Sequence, residues 1–154
     1  MKKLICLIVC TAVLLSATGC GQGAIKKGEK SSVVEGEIFD ITMEVVPESV
    51  RPDSITICVK NNTDIEINSG NEHDFAIEVL DNGTWYTIDV GSRANTAEAY
   101  IFEDERDLHI SWSNTYGALP NGHYRIVKYF FPWTEDGTYG FKDGFYLTAE
   151  FDIE

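Results

Sequence analysis

The sequence predicts an all-β fold, an antiparallel sandwich of seven or eight short strands. Three observations lead there. Apolar residues recur with period two along most of the chain after residue 37. Gly, Pro, Asn and Asp separate the alternating runs at short intervals, as turns between strands require. No segment holds a sustained helical stripe, and "SRANTAEAY" (92–100) offers one turn at most. Residues 38–154 number 117, enough for one domain with a real core, in a chain that is 44% hydrophobic and 12% aromatic.

The strands follow in order. Phe39, Ile41, Met43 and Val45 alternate with Asp40, Thr42 and Glu44. After the turn "PESVRPD", "SITICVK" (54–60) places Ile55, Ile57 and Val59 on one face. "NNTD" (61–64) is a turn. Phe75, Ile77 and Val79 mark a third strand, and "DNG" (81–83) is a hairpin signal that returns through "TWYTIDV" (84–90). "AYIF" (99–102) is a short strand. "EDERD" (103–107) then turns the chain into Leu108, Ile110 and Trp112. "HYRIVKYFF" (123–131) and "FYLTAEFDI" (145–153) are the last two strands, with Phe145, Leu147, Ala149 and Phe151 on one side.

The N-terminus carries a different signal. Met1-Lys2-Lys3 is a positive start, and Leu4–Leu15 is apolar apart from Thr11. That run is too short for a bilayer, which takes about 20 residues. It suits the apolar region of a secretory signal peptide. Ser16, Ala17, Thr18 and Gly19 precede Cys20, and this ending resembles the lipobox of bacterial lipoproteins, with Ala17 in place of the commoner leucine. The resemblance implies cleavage after residue 19 and lipidation (palmitate and related acyl chains) at Cys20. The protein is then expected at the cell membrane, lipid-anchored on the extracytoplasmic face, since two or three chains anchor stably where one is marginal. The expected division is signal peptide 1–19, lipidated cysteine and flexible linker 20–37, and sandwich domain 38–154.

Charge is segregated. Removing Lys2 and Lys3 with the signal leaves 10 of the 12 basic residues against all 25 acids, net −15. Lys26, Lys27 and Lys30 lie in the linker, "GQGAIKKGEKSSVVEGE", whose lack of any period suggests a coil averaging roughly 20–25 Å. Residues 37–154 hold 7 bases and 23 acids, net −16. Such a body is repelled by nucleic acid, whose binding needs clustered Lys and Arg. Of four cysteines, Cys6 and Cys10 leave with the signal and Cys20 is the lipid site. Cys58 remains alone, on the polar face of its strand, so no disulfide forms within the domain.

One local motif narrows the sandwich type. "LPNGHYRIV" has Leu119, a Pro-Asn-Gly corner closing at Gly122, and Tyr124 at a strand start. It resembles the tyrosine corner of immunoglobulin-like and fibronectin-like sandwiches, where the phenol bonds a backbone group upstream. The cysteine pair of antibody-type domains is absent. "ITMEVVPESVRPDSITICVKNNTD", "LDNGTWYTI", "LHISWSNTYGALPNGHYRIVK" and "YLTAEFDI" together resemble the bacterial Ig-like domain of small Firmicutes-type lipoproteins. The most specific part comprises Trp112, Tyr116, Gly117, Leu119, Pro120, Gly122 and the run Tyr124–Lys128. The resemblance covers nearly all of 38–154. It implies an extracytoplasmic Ig-like sandwich and carries no catalytic residue over. The chain departs from the pattern at "EDER" and in a lengthened loop over 132–144.

Chemical signatures are sparse. His73, His109 and His123 are too scattered for a metal site. The acids of "FEDERD" lack the glycine and the spacing of a calcium loop. Paired carboxylates for glycoside hydrolysis need a cleft that a small sandwich rarely has. No nucleophile elbow, zinc-protease helix or phosphate loop is present. The sequence therefore predicts no catalytic activity, no metal and no cofactor.

"FPWTEDGTYGFKDG" (131–144) is the segment that suggests recognition. It joins the last two strands at the end where variable loops of Ig-like domains meet partners. Trp133, Tyr139 and Phe141 stand with Asp136 and Asp143, a combination suited to an envelope protein or a glycan ligand. The alternative is that the rings fold back and cap the sandwich. The expected function is a lipid-anchored binding or scaffolding module. A cell-envelope enzyme or accessory subunit would instead show two carboxylates and a histidine in one deep pocket. A structural spacer would bury every ring of 131–144.

Overall fold

The computed structural model describes residues 25–34, 36, 39–91 and 99–154. Cys20, the expected signal peptide (1–19) and most of "SRANTAEAY" lie outside the described residues. Among the described residues there are ten strands: β1 (Lys27–Lys30), β2 (Ile41–Val45), β3 (Ser54–Asn61), β4 (Glu66–Gly70), β5 (Ala76–Asp81), β6 (Thr84–Ile88), β7 (Ala99–Phe102), β8 (Glu105–Ser111), β9 (Gly122–Trp133) and β10 (Phe145–Ile153). All pairings are antiparallel. The larger sheet runs β1-β6-β5-β9-β4-β7, with β10 on the other edge of β9. The smaller is β2-β3-β8.

Alternation decides which side chains meet between the sheets. On β3, Ile55, Ile57 and Val59 are fully buried, and Leu108 and Ile110 of β8 join them. On the facing sheet, Tyr124, Ile126 and Phe130 of β9 and Phe151 and Ile153 of β10 point inward. Trp112 and Tyr124 both lie against Phe151, at ring-centroid distances of 5.6 and 5.7 Å. Their polar tips are satisfied at the core edge. Trp112 Nε1 donates to the Pro52 carbonyl at 2.9 Å, and the Tyr124 hydroxyl donates to the Pro120 carbonyl at 2.7 Å. The latter is the geometry of a tyrosine corner. Burial pushes the Tyr124 phenol up to about 12, so it stays a donor.

Two strands were not anticipated. The linker reading of 20–37 is corrected at Lys27–Lys30, which forms β1 on the β6 edge. Side chains hold it in place of apolar contacts: Lys26 bridges Asp89, Lys27 bridges Asp81, and Thr87 Oγ1 donates to the Glu29 carbonyl at 3.2 Å. The chain then crosses the outer face of the larger sheet. Ser31 N–H donates to the Trp85 carbonyl, Arg125 Nη2 donates to Ser31 Oγ, and Gly36 N–H reaches the Tyr146 carbonyl on β10. Beneath this strap lies the buried Glu78–Arg125 ion pair, 2.6 Å apart, with Trp85 stacked on the guanidinium at 4.5 Å.

The second unexpected strand, β4, shares an edge of β9 with β5. β5 pairs along Tyr124–Val127 and β4 along Phe130–Trp133. The turn between β4 and β5 leaves Lys128 at the break. Its ammonium donates to the carbonyls of Gly70, Asn71 and Asp74 at 3.3, 2.9 and 2.7 Å. Burial lowers the Lys128 pKa to about 8, opposed by Asp74 and Glu72, so at neutral pH it can still donate all three hydrogens. The acidic turn before β8 is also shorter than "EDERD" suggested, because Glu105 already belongs to the strand.

Candidate recognition surface

The segment 131–144 divides into parts with different tasks. Phe131–Trp133 completes β9 and is not loop. Alternation puts Tyr129, Phe131 and Trp133 on the outer face of the larger sheet, opposite to Phe130. Trp133 is 48% exposed. Thr134–Gly140 then turns back, with Gly137 at φ 73°, a left-handed conformation that glycine adopts without steric cost. Asp136 Oδ1 accepts the Thr138 N–H at 2.9 Å, which together with nearby Thr hydroxyls holds its carboxyl below the usual range. Asp143 Oδ2 accepts the Gly140 N–H at 2.9 Å. Both acids therefore shape the turn that carries them.

The rings go in two directions. Tyr139 is half-buried and meets Phe39 edge-on at 5.7 Å, and Phe39 in turn lies 5.8 Å from Phe145. Tyr139 thus leans toward the edge of the core, one side of its ring against Phe39. Phe141 does the opposite. It is 68% exposed and sits on the outer face, 5.1 Å from Tyr129 and 5.3 Å from Phe131. Tyr129 also touches Tyr146 of β10 at 5.1 Å and donates its hydroxyl to the Phe141 carbonyl at 2.6 Å. That bond fixes the short 3-10 turn at Phe141–Asp143 over the sheet.

An aromatic patch results, built from Tyr129, Phe131, Phe141 and Tyr146, with Trp133 one alternation further along β9. Three of these residues were not singled out from the sequence. The signal was present in the spacing Tyr129-x-Phe131-x-Trp133, which places three rings on one strand face. Tyr146 was not legible, because only the pairing Tyr146↔Tyr129 brings it there. Beside the patch lies an open concavity of about 890 Å³, bounded by Tyr129, Tyr146, Val127, Ala76, Asp74 and the strap residues Gly28, Glu29, Lys30, Ser32 and Val33.

Other groups flagged in the sequence are placed apart from this surface. His73 and His109 are exposed. His123 is not merely solvated: Nδ1 lies 2.7 Å from Asp152 and Nε2 2.8 Å from Glu150. Those two hydrogen bonds raise its pKa, Asp152 contributing most. With both ring nitrogens engaged by carboxylates, the arrangement suits an imidazolium. Among the described residues, no group of three or more His, Cys, Asp or Glu side chains could hold a metal ion. Cys58 is half-buried, and desolvation, with Glu105 and Asp107 beside it, pushes its thiol up to about 11. The reactive thiolate is therefore scarce at neutral pH.

A family model described as bacterial Ig-like domain matches residues 37–152. The chain belongs to that family. The bacterial Ig-like match spans both sheets from β2 through nearly all of β10, and thus includes the tyrosine corner and the aromatic patch. No curated protein and no solved structure matches the chain. Ig-like domains are typically non-catalytic, and membership suggests a binding or scaffolding module.

Proposed function

We propose that this protein is a lipid-anchored extracytoplasmic binding module without catalytic activity, which recognises an envelope partner through the outer aromatic patch of its larger sheet. The observation that carries the reading is the exposure of Phe141 and Trp133 on a hydrogen-bonded strand-and-turn frame. Aromatic residues dominate the energetics of recognition surfaces, and an exposed apolar patch rimmed by polar groups marks such surfaces. A spacer has no use for these rings at the surface. The enzyme reading lacks support, since the titratable cluster around His123 lies on an open sheet face and not in a deep pocket.

The test places a photo-crosslinking phenylalanine analogue at position 141 in the full chain in intact cells. A defined adduct is expected, absent when the analogue replaces Glu44, an exposed residue of the smaller sheet. Identical adducts from both positions, or none from position 141, contradict recognition by the patch. The anchor is tested separately by metabolic labelling with a clickable fatty acid. Cys20→Ser is expected to abolish both the label and membrane association. Equal labelling of parent and variant contradicts lipidation at this cysteine.

A further inference from the structure

The shape and charge of the patch say what chemistry its occupant has. Its rings are mutually tilted: 54° between Tyr129 and Phe141, 64° between Phe131 and Phe141, and 59° between Tyr129 and Tyr146. They form a ridged apolar surface, not the flat platform on which a sugar ring lies face to face. The turn beside it holds Glu135, Asp136 and Asp143 against Lys142 as its one cation. Glu66 of β4 pairs with Trp133 across the sheet. The concavity that opens past Tyr129 and Tyr146 is lined by the acids Asp74, Glu29 and Asp89 and by one lysine, Lys30.

Cations elsewhere on the body are largely engaged. Arg125 pairs with buried Glu78, Lys128 is committed to three carbonyls, Lys60 lies 3.2 Å from Glu105, and Arg106 stacks on Tyr100 at 4.4 Å. A body at net −16 repels a second copy of itself and any anionic surface.

We propose that the patch engages a cationic polypeptide segment, one that carries lysine or arginine beside apolar side chains. The assignment rests on the recognition reading and names the partner's chemistry. The aliphatic stems of Lys and Arg would lie along the ridges between the rings, with their cationic heads over ring faces or against the rim carboxylates. Asp136 is held ionised by its turn hydrogen bonds, so the rim charge persists across physiological pH. Each rim carboxylate offers about four acceptor sites. The turn N–H takes one of them at Asp143. Opposite charge would speed encounter, and the aromatic contacts would set the residence time.

The test uses the mature chain in nanodiscs of neutral phosphatidylcholine. Three probes are compared by calorimetry: an alternating Lys-Phe hexapeptide, its Glu-for-Lys counterpart, and the neutral hexamer of N-acetylglucosamine. The Lys-Phe peptide is expected to bind about tenfold or more tightly than the Glu-Phe peptide, and to weaken as salt rises to ~0.5 M. Its affinity is expected to fall about tenfold in Trp133→Ala/Phe141→Ala, and several-fold in Asp136→Asn/Asp143→Asn, which keeps the turn acceptors. Equal binding of both peptides overturns the proposal. So does preferential binding of the sugar hexamer with loss in Trp133→Ala/Phe141→Ala, although recognition by the patch then stands. Failure of all three probes overturns the cationic assignment, while crosslinking at position 141 decides independently whether the patch recognises anything.

Discussion

His123 illustrates what single residues contribute and why some of it escapes a reading of the sequence. Its partners, Glu150 and Asp152, arrive from β10, and only the pairings His123↔Asp152 and Arg125↔Glu150 bring them to it. Trp85 covers the ring at 5.6 Å. The carboxylates raise the folded-state pKa of the imidazole above its unfolded value near 6.5. The resulting stabilisation is full below the unfolded pKa while the carboxylates remain ionised, and it is lost as pH rises through the folded pKa. Urea unfolding of the parent and of His123→Gln checks this. The gap between their midpoints is expected to be larger at about pH 6 than at about pH 9. A gap that widens with pH contradicts the assignment. Position 133 needs only the length of β9: with the strand running to Trp133 rather than ending at Phe131, parity sets Trp133 opposite to Phe130, hence outward. Parity does not reach into the turn, so the inward fate of Tyr139 and the outward fate of Phe141 became visible only with the contacts to Phe39 and Tyr129.

At the scale of elements, legibility follows how much apolar alternation each strand owns. β10 matches its predicted span, Phe145–Ile153, because its inward residues alternate without interruption. β3 extends one residue beyond expectation, to Asn61. The buried Asn61 amide then donates to the carbonyls of Ile65 and Phe102, both at 2.8 Å. β4, "EINSG", has Ile67 as its one large apolar residue, and β1, "KGEK", has none. Both are strands because a neighbour offers a ladder: β9 and β7 for β4, β6 for β1. Such pairing is a tertiary effect that local composition does not encode. The same holds for Lys128. In the sequence it falls on the inward parity of β9, where a charge looks misplaced. The structure gives it three carbonyls at the gap between β4 and β5, the compensation a buried ammonium requires.

At the scale of the molecule, β1 would shorten the tether of the proposed anchor. The chain from Cys20 to Lys27 spans at most about 25 Å when fully extended, so a lipidated Cys20 would hold the body close to the membrane. Lys26 and Lys27, which the sequence places in the linker, are engaged by Asp89 and Asp81 of the body. Orientation would therefore come from the strap and the lipid more than from basic residues. The strap crosses the same outer face that carries the aromatic patch, so tether and candidate recognition surface are neighbours across one concavity.

The central claim is that this patch is a surface held ready for a partner and not a cap on the core. The stability of Trp133→Ala measures that most directly. A ring that is 48% exposed contributes about half of its burial energy, so the expected loss in a urea denaturation curve is no more than about 1.5 kcal/mol. A loss of roughly 3–5 kcal/mol, the cost of truncating a buried aromatic, would contradict the claim and return Trp133 to the core.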